Sequence, residues 1–150
     1  KLGNYLKAKY YYEKSDSLSR AIDYEAGIHT ATNNLGNVFS TLGDLSKALG
    51  FYLESLALKE KLNDQRGIAA AYENIASIHY QREAYEEAIS FSFKSLEILE
   101  KIGDKSRISF VYYNIAQAYR KNRNLDKAEE YTTKSLILIQ EIKSKYGEAL

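Results

Sequence analysis

The 150-residue chain contains neither cysteine nor proline. Lack of cysteine excludes disulfides, thiolate catalysis and Cys-ligated zinc together. It leaves the compartment open between the cytoplasm, the favoured reading, and the periplasm if a signal peptide has been removed. Lack of proline argues against a sandwich or barrel, whose turns draw on Pro and Gly every ten residues or so, and suits long helices on short connectors. An excess of either charge is missing too: 21 Lys+Arg stand against 20 Asp+Glu, a net +1. Bulk charge therefore favours neither nucleic acid nor an anionic membrane surface. No apolar run approaches the ~18 residues of a spanning helix, and no signal-type apolar segment opens the chain, so membrane insertion is not expected. The sequence begins with Lys1 rather than Met, as expected of an excised fragment or a processed product.

What is present is a repeat. With 45% hydrophobic and 27% charged residues, the composition is that of a soluble globular protein with one sizeable core. Residues 27–66 laid over 67–106 pair Gly27 with Gly67, Ile28 with Ile68, Asn34 with Asn74, Ala48 with Ala88, Ser55 with Ser95, Leu56 with Leu96 and Asp64 with Asp104. The offset is 40 residues without a gap. A further step gives Asn114, Ala116, Ala128, Ser135 and Leu136, so 107–146 forms a third copy. The segment 1–26 reads as the second helix of a truncated repeat, since "LGNYLKA" at 2–8 matches "LGDLSKA" at 42–48, and 147–150 reads as the start of a further one. The whole chain is thus expected to be a single array.

Each copy reads as two helices. Ala31, Leu35, Val38, Phe39 and Leu42 follow helical spacing in the first half, as do Ala48, Leu49, Tyr52 and Leu56 in the second. Between them Gly43-Asp44 supplies a terminating glycine and an N-cap acceptor. Equivalent caps are expected at Asn4 and Asn124 but not Ala84, and before the first helices at Asp64, Asp104 and Ser144. Gly36, Ala76 and Ala116 form a small-residue ladder on the first helices; Ala8, Ala48, Ala88 and Ala128 form another on the second, each marking a close helix approach. The expected fold class is all-α, a right-handed α-solenoid of antiparallel helix pairs.

The order Leu35-Gly36-x-x-Phe39-x-x-x-Gly43-x-Leu45-x-x-Ala48-x-x-x-Tyr52-x-x-Ser55-Leu56 closely resembles the tetratricopeptide repeat pattern. The usual unit has 34 residues, so helices about a turn longer are expected here. The longer unit is similar to that of kinesin light chains, Pins-type adaptors and bacterial signalling-protein repeat regions. HEAT and armadillo units share the length but not the Gly-Asp connector and paired ladders; pentatricopeptide RNA readers have a shorter, strongly basic unit.

The resemblance implies a non-enzymatic interaction module that binds an extended peptide or protein segment in a groove lined by the first helices. It also offers a reason for the run "TNNLGNVF" at 32–39, which places asparagines where helix propensity disfavours them. Asn34, Asn74 and Asn114 occupy one repeat position, and a side-chain amide both donates and accepts, so it can pair with one residue's main chain whatever its side chain. The alternative is structural, a bond to the adjacent repeat. Around this column Asn33, Asn37, Glu73, Ser77, Tyr113 and Gln117 vary between copies and are polar, as a reading surface would be. One turn on, Tyr80 and the basic pair Arg120-Lys121 complete the candidate peptide-binding set. His29 and His79 fall at different repeat positions, His79 replacing the aromatic Phe39 and Tyr119, and neither reads as a ligand or base. No phosphate loop, metal box or nucleophile elbow occurs, and no cofactor or metal is implied. Two other roles fit the same sequence, a sensory or regulatory region of a bacterial signalling protein such as a sensor kinase or transcription regulator, and a structural spacer. Self-association through the truncated repeat ends is a further expectation.

Overall fold

A computed structural model describes residues 2–147. Every described element is an α-helix: α1 (Leu2–Ala21), α2 (Glu25–Thr41), α3 (Leu45–Lys61), α4 (Gln65–Gln81), α5 (Tyr85–Ile102), α6 (Lys105–Lys121) and α7 (Leu125–Gly147). From α2 on, the helices start every twenty residues, so the 40-residue period resolves into two equal halves. Each connector carries one residue in the left-handed region: Asp23, Gly43, Asn63, Glu83, Gly103 and Arg123. Only two of these are glycine. At the others an L side chain is held at positive φ, a cost that the packing of the following helix must offset.

Capping follows the sequence at three positions. Asp44 accepts from the Lys47 amide at 3.1 Å, Asp104 from the Arg107 amide at 3.1 Å and Asn124 from the Lys127 amide at 3.2 Å. Ala84 has the same backbone shape, φ −83° and ψ 69°, but no acceptor. Two expected caps are not caps. Asn4 lies inside α1, which already runs from Leu2, and Ser144 lies inside α7. Before Ser144 the left-handed position falls on Lys143 rather than an Asn63 or a Gly103, and the helix continues through it. The fourth repeat expected beyond Gly147 lies outside the described residues.

The chain divides between Asp64 and Gln65 into two compact units. In unit 1, α2 packs between α1 and α3. Ile28, Ala31, Leu35, Val38 and Phe39 of α2 are buried, as are Ala48, Tyr52 and Leu56 of α3. Phe39 stacks on Phe51 at 5.4 Å, with Lys9 and Lys47 over its ring. Gly36 lies tightly against α3: a Cβ there would lie 2.6 Å from the Tyr52 ring.

In unit 2, α4 packs on α5, α5 on α6 and α6 on α7. Ile75, Ile78, Leu99 and Ile115 are fully buried, each worth about 1.5–3 kcal/mol relative to exposure. Tyr131 gathers Phe93, Tyr112 and Tyr119 around it at 5.7–5.8 Å, with Lys134 over its face. Small residues at Ala76, Ala88, Ala116 and Ala128 are all buried. Leu125, at the start of α7, is mostly exposed. His79 is half-buried and stacks on Phe91 at 5.3 Å, the aromatic packing role its repeat position implied.

Candidate functional site

In unit 2 a cavity of about 480 Å³ opens where α4, α5 and α6 meet. Seven of the sequence-nominated residues line it: Glu73, Asn74, Ser77 and Tyr80 from α4, and Tyr113, Asn114 and Gln117 from α6. The helical period explains the convergence. On one helix, positions i, i+3 and i+4 share a face, so Asn74 brings Ser77 with it and Asn114 brings Gln117. Both ladder amides are half-buried at the wall of this space.

The floor is small and the rim aromatic. Ala76, Ala88 and Ser92 form the close-packed side, and Phe110 and Tyr113, both about half exposed, stand at the opening. Ser92 turns its hydroxyl onto the Ala88 carbonyl at 2.8 Å. Phe110, Ser92 and Ala118 were not nominated from sequence. Phe110 could have been found, since it replaces Thr30 and Ala70 of the other copies one turn before Asn114.

Glu73 is the one ionic side chain lining this cavity, and its charge is already engaged. Arg107 donates to its Oε1 at 2.6 Å and Ser95 at 3.1 Å. Burial pushes the Glu73 carboxyl up, against the pull of Arg107 and Ser95 in the opposite direction. The cavity therefore offers a ligand hydrogen-bonding amides and hydroxyls but no free charge. Arg120 and Lys121 are exposed and do not line it; Arg120 reaches it only by donating to the Gln117 carbonyl oxygen.

In unit 1 the equivalent amide, Asn34, lies along a separate cavity of about 600 Å³, where Asn33, Glu25, His29 and Lys59 join it. Asn37 behaves differently from Ser77, its counterpart. Its Oδ1 accepts from the Tyr52 hydroxyl at 2.7 Å, so this amide is tied into the α2–α3 contact. Among the described residues no group of His, Cys, Asp or Glu is placed to hold a metal ion, and no helix is long and apolar enough to cross a membrane.

Two family models, both of the tetratricopeptide repeat, match the chain, over residues 67–141 and 31–66. No curated protein is significantly similar to it in sequence. Solved structures share its fold. BtubC (BKLC) from P. vanneervenii superposes with a TM-score of 0.88 at 22% identity, covering 94% of this chain and 59% of its own. A Rap protein complexed with Competence and Sporulation Factor gives 0.83 at 17% identity, covering 96% and 40%. Kinesin light chain nearly identical TPR-like repeats from Podosopora anserina give 0.78 at 14%, covering 93% and 69%. The chain thus spans about three-fifths of the length of BtubC and less than half of the Rap protein. These neighbours share one architecture, an all-α helical-repeat solenoid.

Proposed function

The chain belongs to the tetratricopeptide repeat family, and from that premise we propose that it holds an extended peptide or protein segment on the first helices of its repeats, without chemistry of its own. Repeats of this family are protein–protein interaction modules. The observation that carries the finer reading is the convergence of Asn74 and Asn114, from two different helices, on one open cavity. Each amide can accept from one main-chain N–H and donate to one C=O, which fixes a strand irrespective of its sequence. Ser77, Tyr80, Tyr113 and Gln117 then meet its side chains. The similar fold of a Rap protein that is complexed with a factor supports a ligand-carrying role. The 40-residue repeats at 27–66, 67–106 and 107–146 are the units we assign to this array.

A structural role is favoured at two of the nominated positions. Asn37 is bonded to Tyr52 and Glu73 to Arg107 and Ser95, so both hold helices together before any ligand arrives.

The test is titration of a selected peptide against Asn74→Ala and Asn114→Ala. Each should weaken binding of every accepted peptide by about 1 kcal/mol, since each removes a hydrogen-bonded pair. Ser77→Ala and Gln117→Ala should change which peptide is preferred. Arg120→Ala with Lys121→Ala should matter for acidic ligands at low salt. If the Asn→Ala proteins lose helical circular dichroism rather than affinity, the amides are structural and the proposal falls.

A further inference from the structure

The cavity of unit 2 has a filled counterpart in unit 1. Ala76, Ser77, Ala88 and Ser92, which line it, are the repeat equivalents of Gly36, Asn37, Ala48 and Tyr52. In unit 1 the Tyr52 ring lies against Gly36, is only 4% exposed, and ends in a hydroxyl bonded to Asn37 at 2.7 Å. In unit 2 the same position on α5 is Ser92, whose hydroxyl turns back to its own helix. The ring is missing, and the space it would take is part of the open cavity.

We infer that this cavity receives an aromatic side chain, best a tyrosine, from the bound segment, seated against Ala76 and Ser92 and held further out, by the Ala76 methyl, than Tyr52 is over Gly36. Three observations select that occupant. The floor of Ala76 and Ala88 is apolar and carries no side chain longer than a methyl, which suits a ring face. Tyr80, Phe110 and Tyr113 at the opening offer edges and faces to a further ring. Glu73, the one charged group lining it, is neutralised by Arg107, so a cationic or anionic side chain would lose its hydration without gaining a partner. A phenol loses little, because Ser77 stands where Asn37 meets the Tyr52 hydroxyl. Aromatic anchors in such pockets carry a large share of interface affinity.

The inference rests on the groove reading above, and the test separates the two. A phage-displayed random nonapeptide library is selected on the whole chain, and the selected peptides are titrated against wild type, the Asn74→Ala/Asn114→Ala pair and Ala76→Gly/Ser92→Tyr. The last rebuilds the Gly36–Tyr52 pair in unit 2 and fills the cavity from within. Selected peptides should share a Tyr or Phe, and the filled protein should bind them about tenfold or more weakly with unchanged circular dichroism. Peptides without an aromatic residue, or bound equally by the filled protein but lost on Asn→Ala substitution, would overturn the aromatic seat and leave the amide reading intact. Selection of no peptide would overturn both. If the filled protein fails to fold, N-acetyl-tyrosinamide decides: it should shift the amide resonances of Ala76, Ser77 and Ser92 where N-acetyl-alaninamide does not, and equal or absent shifts would sink the inference.

Discussion

Gly36 and Tyr52 should be energetically inseparable, and a mutant cycle can measure it. A Cβ on Gly36 would meet the Tyr52 ring at 2.6, 2.7 and 3.1 Å. The ring has little room to retreat, since it is 4% exposed and anchored at its hydroxyl by Asn37. Gly36→Ala therefore gains about 1 kcal/mol of helix propensity and loses ~1–3 kcal/mol to overpacking, a net loss of up to about 2 kcal/mol. Tyr52→Ser removes a buried ring and should cost ~3–5 kcal/mol. With the ring gone the added methyl has space, so in the Tyr52→Ser background Gly36→Ala should stabilise by about 1 kcal/mol. The sign of the Gly36→Ala effect reverses, and the coupling is ~1–3 kcal/mol. Urea unfolding followed by circular dichroism on the four proteins reads it directly. A Gly36→Ala effect of the same sign and size in both backgrounds would refute the close approach and, with it, the comparison between Tyr52 and Ser92.

Four further outcomes are expected. Ala84 has the backbone of a cap but no acceptor, so Ala84→Asp should raise stability by about 0.5–2 kcal/mol, seen as a higher urea midpoint. Removing Arg107 leaves the Glu73 carboxyl, 16% exposed, without its cation, so Arg107→Ala should destabilise unit 2 by about 1–3 kcal/mol at neutral pH. Because burial raises the Glu73 pKa, the folded state keeps this proton after the unfolded chain has released it. Its contribution to stability is then fully present below the ordinary carboxylate pKa and is lost as pH rises through the folded value, and Glu73→Gln should lack that component of the slope in urea midpoints taken from pH 4 to 7. Finally, α1 presents Tyr5, Leu6, Tyr10, Tyr11 and Leu18 at 41–66% exposure, and we expect the light-scattering mass to rise with concentration through these side chains; a constant mass across a hundredfold dilution would count against it.

How much of this was legible in the sequence depends on which residues repeat. Positions held in every copy, such as Ala48, Ala88 and Ala128 or Leu35, Ile75 and Ile115, are core, and their spacing predicted the helix pairs because packing two helices together imposes the same demand in each copy. The connectors were legible where chemistry matches geometry, as at Gly43-Asp44. They were less so at Glu83 and Arg123, which take the left-handed shape without a residue type that signals it. Asn4 and Ser144 misled for a related reason: a cap residue is read from its register, but whether the helix stops there depends on what packs beyond it.

Ionic partners were hidden by the same logic. Arg107 occupies a position that is glycine in the copies at Gly27 and Gly67, so no register comparison pairs it with Glu73, 34 residues away on α4. It belongs to a set of departures that all fall in one place. Ser92 for Tyr52, Phe110 for Thr30 and Ala70, and Arg107 for glycine each break the repeat, and each changes the cavity: one empties its floor, one adds a ring at its mouth, one neutralises its acid. A solenoid can be stabilised by identical copies. A recognition site cannot be, because identical copies would read every residue of a ligand alike. In the function proposed above, the repeated amides Asn74 and Asn114 would supply the part of binding that is indifferent to sequence, and the three departures the part that selects. This division predicts that making Ala76, Ser92 and Phe110 conform to the first copy, as Gly, Tyr and Thr, would leave the fold standing and remove ligand preference.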